Sequence, residues 1–202
     1  MVRLEEMQRI RANLKEKLDP RRYEHTLGVS FTAAALAMAH GEDVRKAQLA
    51  GLLHDCAKRY PEIVLIEKCE KHGVSLTKEE LAAPQVIHAK YGRYLAVHKY
   101  GITDEDVLNA IAYHTTGRAG MSRLEKIVFI ADYIEPLRDK ADDLGSIRPL
   151  AFQNLDACMT AILEGTARYL EGKHAQIAPD TFAALRWFRA EMEKENYAKQ
   201  NK

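Results

Sequence analysis

The sequence has few cysteines, and their arrangement excludes two classes of protein. Cys56, Cys69 and Cys158 are an odd and widely spaced set without a C-x-x-C pair. Such a set predicts neither a disulfide framework nor a thiolate metal site. We therefore expect reduced cysteines that pack in the core, and a cytoplasmic location.

Long apolar runs and charge of one sign are also missing. No uninterrupted apolar run approaches the roughly 20 residues needed to span a bilayer. The first 18 residues lack the apolar core and the small-residue cleavage site of a signal peptide. Lys and Arg total 30 against 29 Asp and Glu, so no large basic field predicts nucleic-acid binding. We expect neither a membrane nor a nucleic-acid partner, whereas a small anionic substrate would need only local positive charge.

Helical periodicity is present along almost the whole chain. The 202 residues are 47% hydrophobic and 29% charged, as in an ordinary globular protein that can bury its own core. No segment alternates convincingly as a strand. We predict an all-α protein, a single compact helical bundle over residues 1–202, with a site-bearing core over about 21–138 and C-terminal helices over about 149–198.

Glycine, proline and capping residues punctuate the predicted helices. Asp43 is placed to cap one helix that continues through Lys58. Thr77 and Ser122 each precede a glutamate by three residues, the spacing of a capping box. A long helix is predicted from 149 to about 172.

Metal-binding side chains interrupt four of these apolar segments. The dipeptide His54-Asp55 follows LAGLL in the string LAGLLHDCAK, and His25 lies in an alanine-rich segment. His114 closes VLNAIAYH, and Asp132 follows IVFIA. A buried imidazole or carboxylate is costly unless it is paired or bound to a metal. Each residue alone could equally be a paired core group or a residue at the end of a helix. Together they favour a site for zinc, manganese or iron.

In this order, His25, His54-Asp55 and Asp132 resemble the H…HD…D signature of the HD-domain phosphohydrolases. The strings LAGLLHDCAK, AIAYHTTG and KIVFIADYIEPLR are similar to one branch, the YqeK-type symmetrical bis(5'-nucleosyl)-tetraphosphatases. The resemblance runs from about residue 23 to 138 and continues into the C-terminal part. It implies an HD-type helical domain and metal-dependent hydrolysis of diadenosine tetraphosphate to two ADP.

The resemblance also implies a ligand set and a cofactor. It implies that His25, His54, Asp55 and Asp132 hold one metal. The remaining two candidates, His88 and His114, match the histidines that hold a second metal in dinuclear members, with Asp55 bridging. The family points to dinuclear iron, although manganese, cobalt or zinc fit the same ligands, and it implies a homodimer.

Lys58, Thr115 and Arg138 match nucleotide-binding positions of the family, and His88 and His114 are expected to contact the substrate as well. Lys58 lies about one helical turn after Asp55, so it can face the same pocket. Arg138 offers the fork-shaped phosphate recognition that lysine lacks. His54, Asp55 and Lys58 are the expected catalytic residues, with a metal-activated water as the nucleophile.

Two other functions stay open at this point. Another HD activity, such as a 5'-nucleotidase or a guanosine tetraphosphate hydrolase, would use the same metal ligands. A non-catalytic nucleotide-binding helical module would need only the fold. The other four histidines are interpreted as surface or capping residues: His40, His72, His98 and His174.

Overall fold

The computed structural model describes residues 4–139, 141–173 and 178–200, and over these ranges the chain is helical and forms no strand. A short 3₁₀ turn over Pro84–Val86 precedes the sixth helix. The α-helices are α1 (Leu4–Lys17), α2 (Pro20–His40), α3 (Val44–Leu53), α4 (Glu62–Lys71), α5 (Lys78–Ala82), α6 (Ile87–His98), α7 (Glu105–Tyr113), α8 (Arg123–Ile134), α9 (Leu144–Ala151), α10 (Leu155–Gly172) and α11 (Pro179–Gln200). The predicted all-α class is confirmed. Within these ranges no helix is both long enough and apolar enough to cross a bilayer.

Side chains at the N-termini explain where several helices begin. The Asp43 carboxylate accepts the first free N–H groups of α3, at 2.8 and 3.0 Å. Thr77 and Ser122 each form a complete capping box with the glutamate three residues later. These caps satisfy backbone donors that a helix cannot satisfy by itself, and they agree with the predicted helix starts.

The centre of the bundle is built from α2, α3, α7 and α8, with α6 against α7 and α10 against α8. The backbones of α2 and α3 meet at Gly51. A Cβ atom on Gly51 would lie 3.0 Å from Ser30 Cα and 3.1 Å from the carbonyl oxygen of Val29. This close crossing brings the N-terminal half of α2 next to the end of α3, where the candidate metal ligands lie. Cys56, Cys69 and Cys158 are all buried, as predicted.

Two predicted helix boundaries were wrong. Helix α3 ends at Leu53 instead of continuing to Lys58, and residues 54–59 form tight turns. The His54 ring bonds the carbonyl oxygen of Gly51 at 2.7 Å, the acceptor that the next backbone N–H would use in a continuing helix.

The predicted helix from 149 to 172 is interrupted: residues 149–151 are the end of α9, and α10 begins at Leu155. The Asn154 side chain accepts the N–H groups of Asp156 and Ala157, each at 3.0 Å, and so starts a new helix. Both pieces keep helical apolar spacing, so their periodicity alone did not show the break.

Candidate metal centre

The six predicted metal ligands converge at one place, although they come from five different parts of the chain. Five of the six are buried, and Asp132 is partly exposed. The ligands and their positions are His25 on α2, His54 and Asp55 in the turn after α3, His88 on α6, His114 in the turn after α7, and Asp132 on α8.

Asp55 lies at the middle of this cluster, and its two oxygens face different histidines. Oδ2 lies 3.6 Å from His54 Nε2 and 3.9 Å from His25 Nε2. Oδ1 lies 3.2 Å from His88 Nε2 and 3.5 Å from His114 Nε2. The cluster therefore consists of two groups of donors that share one carboxylate.

Asp132 completes the first of these groups. Its Oδ1 lies 3.0 Å from His25 Nε2 and 3.8 Å from His54 Nε2. Ligand atoms about 2.0–2.2 Å from one ion lie roughly 3–4 Å apart from each other. The separations around the first group match that spacing.

Hydrogen bonds at the far side of three rings orient their ligating nitrogens. In His54, His88 and His114, Nδ1 lies 2.7 Å from the backbone carbonyl oxygen of the residue three positions earlier. A carbonyl oxygen can only accept, so each Nδ1 carries the proton and each Nε2 keeps a lone pair directed into the cluster. His25 differs because its Nδ1 faces a carboxylate, Glu135 Oε1, at 3.0 Å.

The nitrogens His25 Nε2 and His54 Nε2 are buried and have no aligned hydrogen-bond partner among the described residues. Such atoms are costly to bury unless something coordinates them. A set of imidazole nitrogens and carboxylate oxygens suits zinc, manganese or iron. The residues present therefore fit a divalent metal.

Electrostatics favour the ligating protonation states. Burial lowers the pKa of His54 to about 4, so its ring is neutral at pH 7. Burial would raise the pKa of Asp55, but the surrounding histidines hold it well below its usual value. Burial would also raise the pKa of Asp132, but His25, His54 and Arg138 outweigh burial and lower it. Both carboxylates are therefore ionised at neutral pH.

The pKa of His25 moves in the other direction. Burial would lower it, but the nearby carboxylates of Asp132 and Glu135 outweigh burial and raise it. In the metal-free protein, a proton therefore binds His25 more tightly than it binds His54.

A cavity of about 530 Å³ opens beside the cluster and is lined by Arg22, Thr115 and Arg138. The Thr115 hydroxyl lies 3.2 Å from His88 Nε2 and 3.1 Å from His114 Nε2. Arg138 donates to Asp132 Oδ1 at 2.6 Å. Thr115 and Arg138, two of the three residues predicted to bind the nucleotide, therefore line this cavity.

Lys58 does not line the cavity. It is half-buried in the turn after Asp55, and burial lowers the pKa of its ammonium group while Asp55 opposes the change. Its contact with substrate stays a prediction.

Sequence reasoning missed two residues of the site, Arg22 and Glu135. Arg22 Nη1 donates to Asp55 Oδ2 at 2.8 Å, and Glu135 is 1% exposed beside His25. Arg22 precedes His25 by three residues, and Glu135 follows Asp132 by three. Because residues three apart share a helix face, this spacing was the signal available in the sequence.

The other histidines lie outside the cluster. His40 Nε2 bonds the carbonyl oxygen of Ala151 at 2.7 Å. His72 and His98 are exposed and pack against the ring of Tyr94. These positions agree with the surface and capping interpretation, and His174 lies outside the described residues.

Comparisons with known proteins agree with this geometry. The profile of the HD domain matches residues 22–137, which contain all six candidate ligands. The chain is 38% identical over 181 residues to the symmetrical bis(5'-nucleosyl)-tetraphosphatase of Bacillus subtilis, covering 87% of this chain and 94% of that protein. It is 40% identical over 174 residues to the enzyme of the same name from Halalkalibacterium halodurans, covering 84% and 90%.

A solved structure is similar across nearly the whole fold. It is the crystal structure of a predicted HD superfamily hydrolase involved in NAD metabolism from Clostridium acetobutylicum. The TM-score is 0.89 at 39% identity, and the match covers 92% of this chain and 97% of that one.

Proposed function

The chain belongs to the HD-domain family and has symmetrical bis(5'-nucleosyl)-tetraphosphatases as relatives over most of its length, and on that premise we propose that it hydrolyses diadenosine tetraphosphate and related dinucleoside polyphosphates. Cleavage is symmetrical and releases two ADP. The observation that carries this proposal is the pair of donor groups that share Asp55, because two adjacent metal sites suit phosphoryl transfer to water.

The six clustered residues would hold the metals. His25, His54, Asp55 and Asp132 would hold one ion, and the second would bind Asp55 with the remaining histidines, His88 and His114. When bound, a pair of divalent cations supplies Lewis acidity and a water acidic enough to attack at neutral pH. We propose dinuclear iron as the native cofactor, while manganese, cobalt or zinc could use the same nitrogen and oxygen donors.

The residues that line the cavity would bind the polyphosphate. Arg138 lines the cavity, and its Nε and Nη2 atoms donate to Asp132. The N–H donors on the other edge of the guanidinium group would bind phosphate oxygens. The Thr115 hydroxyl lies next to His88 and His114 and lines the cavity, so it can donate to a phosphate oxygen. Lys58 would add positive charge near Asp55.

The same cavity offers the apolar surface that a base needs. Tyr133, Leu137 and Ile162 line it together with the polar residues. An aromatic ring beside aliphatic side chains can cover the faces of a purine. The cavity therefore combines a phosphate-binding wall with an apolar wall.

We further propose a single domain over residues 1–202, a cytoplasmic location and a homodimer. Helix α8, which carries Asp132, packs against α2 and α7 and also against α9 and α10. The C-terminal helices thus share the core that positions the site. Light scattering on the protein as it elutes from a size-exclusion column would measure the oligomeric state, and a monomer would contradict the dimer.

Product analysis tests the activity. Metal-loaded protein is incubated separately with diadenosine tetraphosphate, deoxynucleoside monophosphates and guanosine tetraphosphate. We expect ADP as the sole product from the first and little turnover of the others. Preferential release of phosphate from the monophosphates would instead favour a 5'-nucleotidase.

Substitution of Asp55 tests the site. Asp55→Asn removes the charge shared by both donor groups, so we expect hydrolysis and metal loading to be lost while the helical circular dichroism stays the same. Glu67→Gln, an equivalent change on the exposed face of α4, is the matched control. Full activity in the Asp55→Asn protein would contradict the proposal.

A further inference from the structure

Glu135 is a buried carboxylate at the end of α8 that the proposed chemistry does not use. It is 1% exposed, and both of its oxygens are engaged. Oε1 lies 3.0 Å from His25 Nδ1, and Oε2 accepts the backbone N–H of Leu137 at 2.7 Å. We propose that Glu135 is a positioning residue that keeps the proton of His25 on Nδ1, so that Nε2 faces the metal, and that fixes the turn carrying Arg138. This inference rests on the proposed metal site.

The position of His25 in its helix explains why it needs a distant partner. His54 and His114 follow the ends of α3 and α7, and His88 lies in the first turn of α6. Their rings can therefore reach backbone carbonyl groups of their own segments. His25 lies within α2, where carbonyl groups are already used by the helix. Its Nδ1 proton must bind an acceptor from another element, and Glu135 supplies it.

Helix α2 leaves space for this carboxylate. Gly28 follows His25 by three residues and lies on the same face. A Cβ atom at Gly28 would lie 2.5 Å from Glu135 Oε2 and 3.3 Å from its carboxyl carbon. Glycine is unfavourable inside a helix, and here it gives Glu135 access to the His25 ring.

The second oxygen of Glu135 acts on the turn after α8. Its hydrogen bond to the N–H of Leu137 stabilises this turn. Arg148 stabilises the same turn by donating to the carbonyl oxygens of Ile134 at 3.0 Å and Arg138 at 2.8 Å. One carboxylate thus positions a metal ligand, His25, and the turn that brings Arg138 to the cavity.

Replacement of Glu135 by glutamine distinguishes the hydrogen-bonding role of the carboxylate from a role in core packing alone. The amide has nearly the same shape, but it offers one acceptor oxygen to two donors, the ring Nδ1–H and the Leu137 N–H. If the amide NH₂ group faces the ring, His25 must move its proton to Nε2 and can no longer bind a metal there. We expect zinc affinity to fall about 10–100-fold, as for other partners of metal-bound histidines.

The measurement does not depend on activity. Zinc is titrated into metal-free wild-type protein and into Glu135→Gln, with binding followed by calorimetry and the histidine ring nitrogens by long-range ¹H–¹⁵N NMR. In the wild type, we expect Nε2 of His25 to show the metal-bound shift and Nδ1 to keep its proton. In Glu135→Gln, we expect the metal-bound shift to be lost at His25 before it is lost at the other histidines.

Glu125 provides the matched control. It is also on α8 and is fully buried, but its partners are Arg118 and Ser122. Glu125→Gln should bind zinc as the wild type does. If Glu135→Gln does not fold, Gly28→Ala decides, because it displaces the Glu135 carboxylate without removing its charge and should also weaken zinc binding.

The outcomes are distinguishable. Wild-type zinc affinity in folded Glu135→Gln, or in Gly28→Ala if Glu135→Gln does not fold, with an unchanged His25 signal would overturn the inference and leave the proposed function intact. A wild-type protein whose histidines bind no zinc would remove the proposed metal site and this inference together.

Discussion

Replacing Gly51 by alanine should loosen the metal centre through the backbone, although alanine keeps the carbonyl group that the His54 ring bonds. The new Cβ atom would lie 3.0 Å from Ser30 Cα, 3.2 Å from Ser30 N and 3.1 Å from the carbonyl oxygen of Val29. All three are backbone atoms of α2 and cannot turn away as a side chain would. Helices α2 and α3 must therefore move apart by a few tenths of an ångström.

The expected cost follows from two opposing effects. Overpacking in a filled core costs about 1–3 kcal/mol, while the better helix propensity of alanine offsets about 1 kcal/mol. Because all three contacting atoms belong to backbone, the upper half of the overpacking range applies, so we expect the free energy of unfolding to fall by about 1–2 kcal/mol. This lowers Tm by about 2–8 °C in a chain of this size. Zinc affinity should fall too, because His25 lies on α2 and His54 follows α3.

Urea unfolding of chelator-treated protein measures the stability, and zinc titration measures the site. Gly92→Ala is the matched control, because Gly92 is also buried in a helix and its Cβ atom would meet Ile111 Cγ2 at 3.4 Å and the carbonyl oxygen of His54 at 3.5 Å. These are ordinary contacts, so Gly92→Ala should be as stable as the wild type or slightly more stable. The reasoning is refuted if Gly51→Ala keeps wild-type stability and zinc affinity, or if Gly92→Ala loses as much.

Two further predictions concern the cavity and the effect of pH. Arg138→Lys keeps the charge but loses the fork of donors, so kcat/KM for diadenosine tetraphosphate should fall about 10–100-fold, the value of a strong charged hydrogen bond; unchanged steady-state kinetics would contradict this. In the metal-free protein, burial lowers the pKa of His54 from 6.5 to about 4, so below pH 6.5 the unfolded chain takes up a proton that the folded chain does not. Stability should therefore fall as pH drops from 6.5 towards 4, by up to about 3 kcal/mol. The raised pKa of His25 adds no slope in this window, since its contribution is fully present below pH 6.5. Equal unfolding free energies at pH 6.5 and pH 4.5 would argue against the buried neutral His54.

Much of the site was predictable because its polar residues lie inside apolar segments of the sequence. A helical apolar period needs no tertiary information, so the all-α class followed from local spacing. His25, His54, Asp55, His114 and Asp132 interrupt apolar segments, where an unpaired polar group is costly. Their order and the neighbouring strings then pointed to the HD domain. His88 had no comparable anomaly and depended on the resemblance.

The tertiary structure alone decided which residues form hydrogen bonds to those candidate ligands. Glu135 is 110 positions from His25 in the chain, and its three-residue spacing from Asp132 does not show which side chain it contacts. Arg22 is one of two arginines at the start of α2, and only the fold places it 2.8 Å from Asp55. Partners of this kind are selected by distance in space. The sequence by itself therefore determined the helical class and most of the candidate ligands, because a polar residue inside an apolar segment is recognisable from local spacing. The paired donor groups around Asp55 and the carboxylate beside His25 arise only when α2, α3, α6, α7 and α8 pack together.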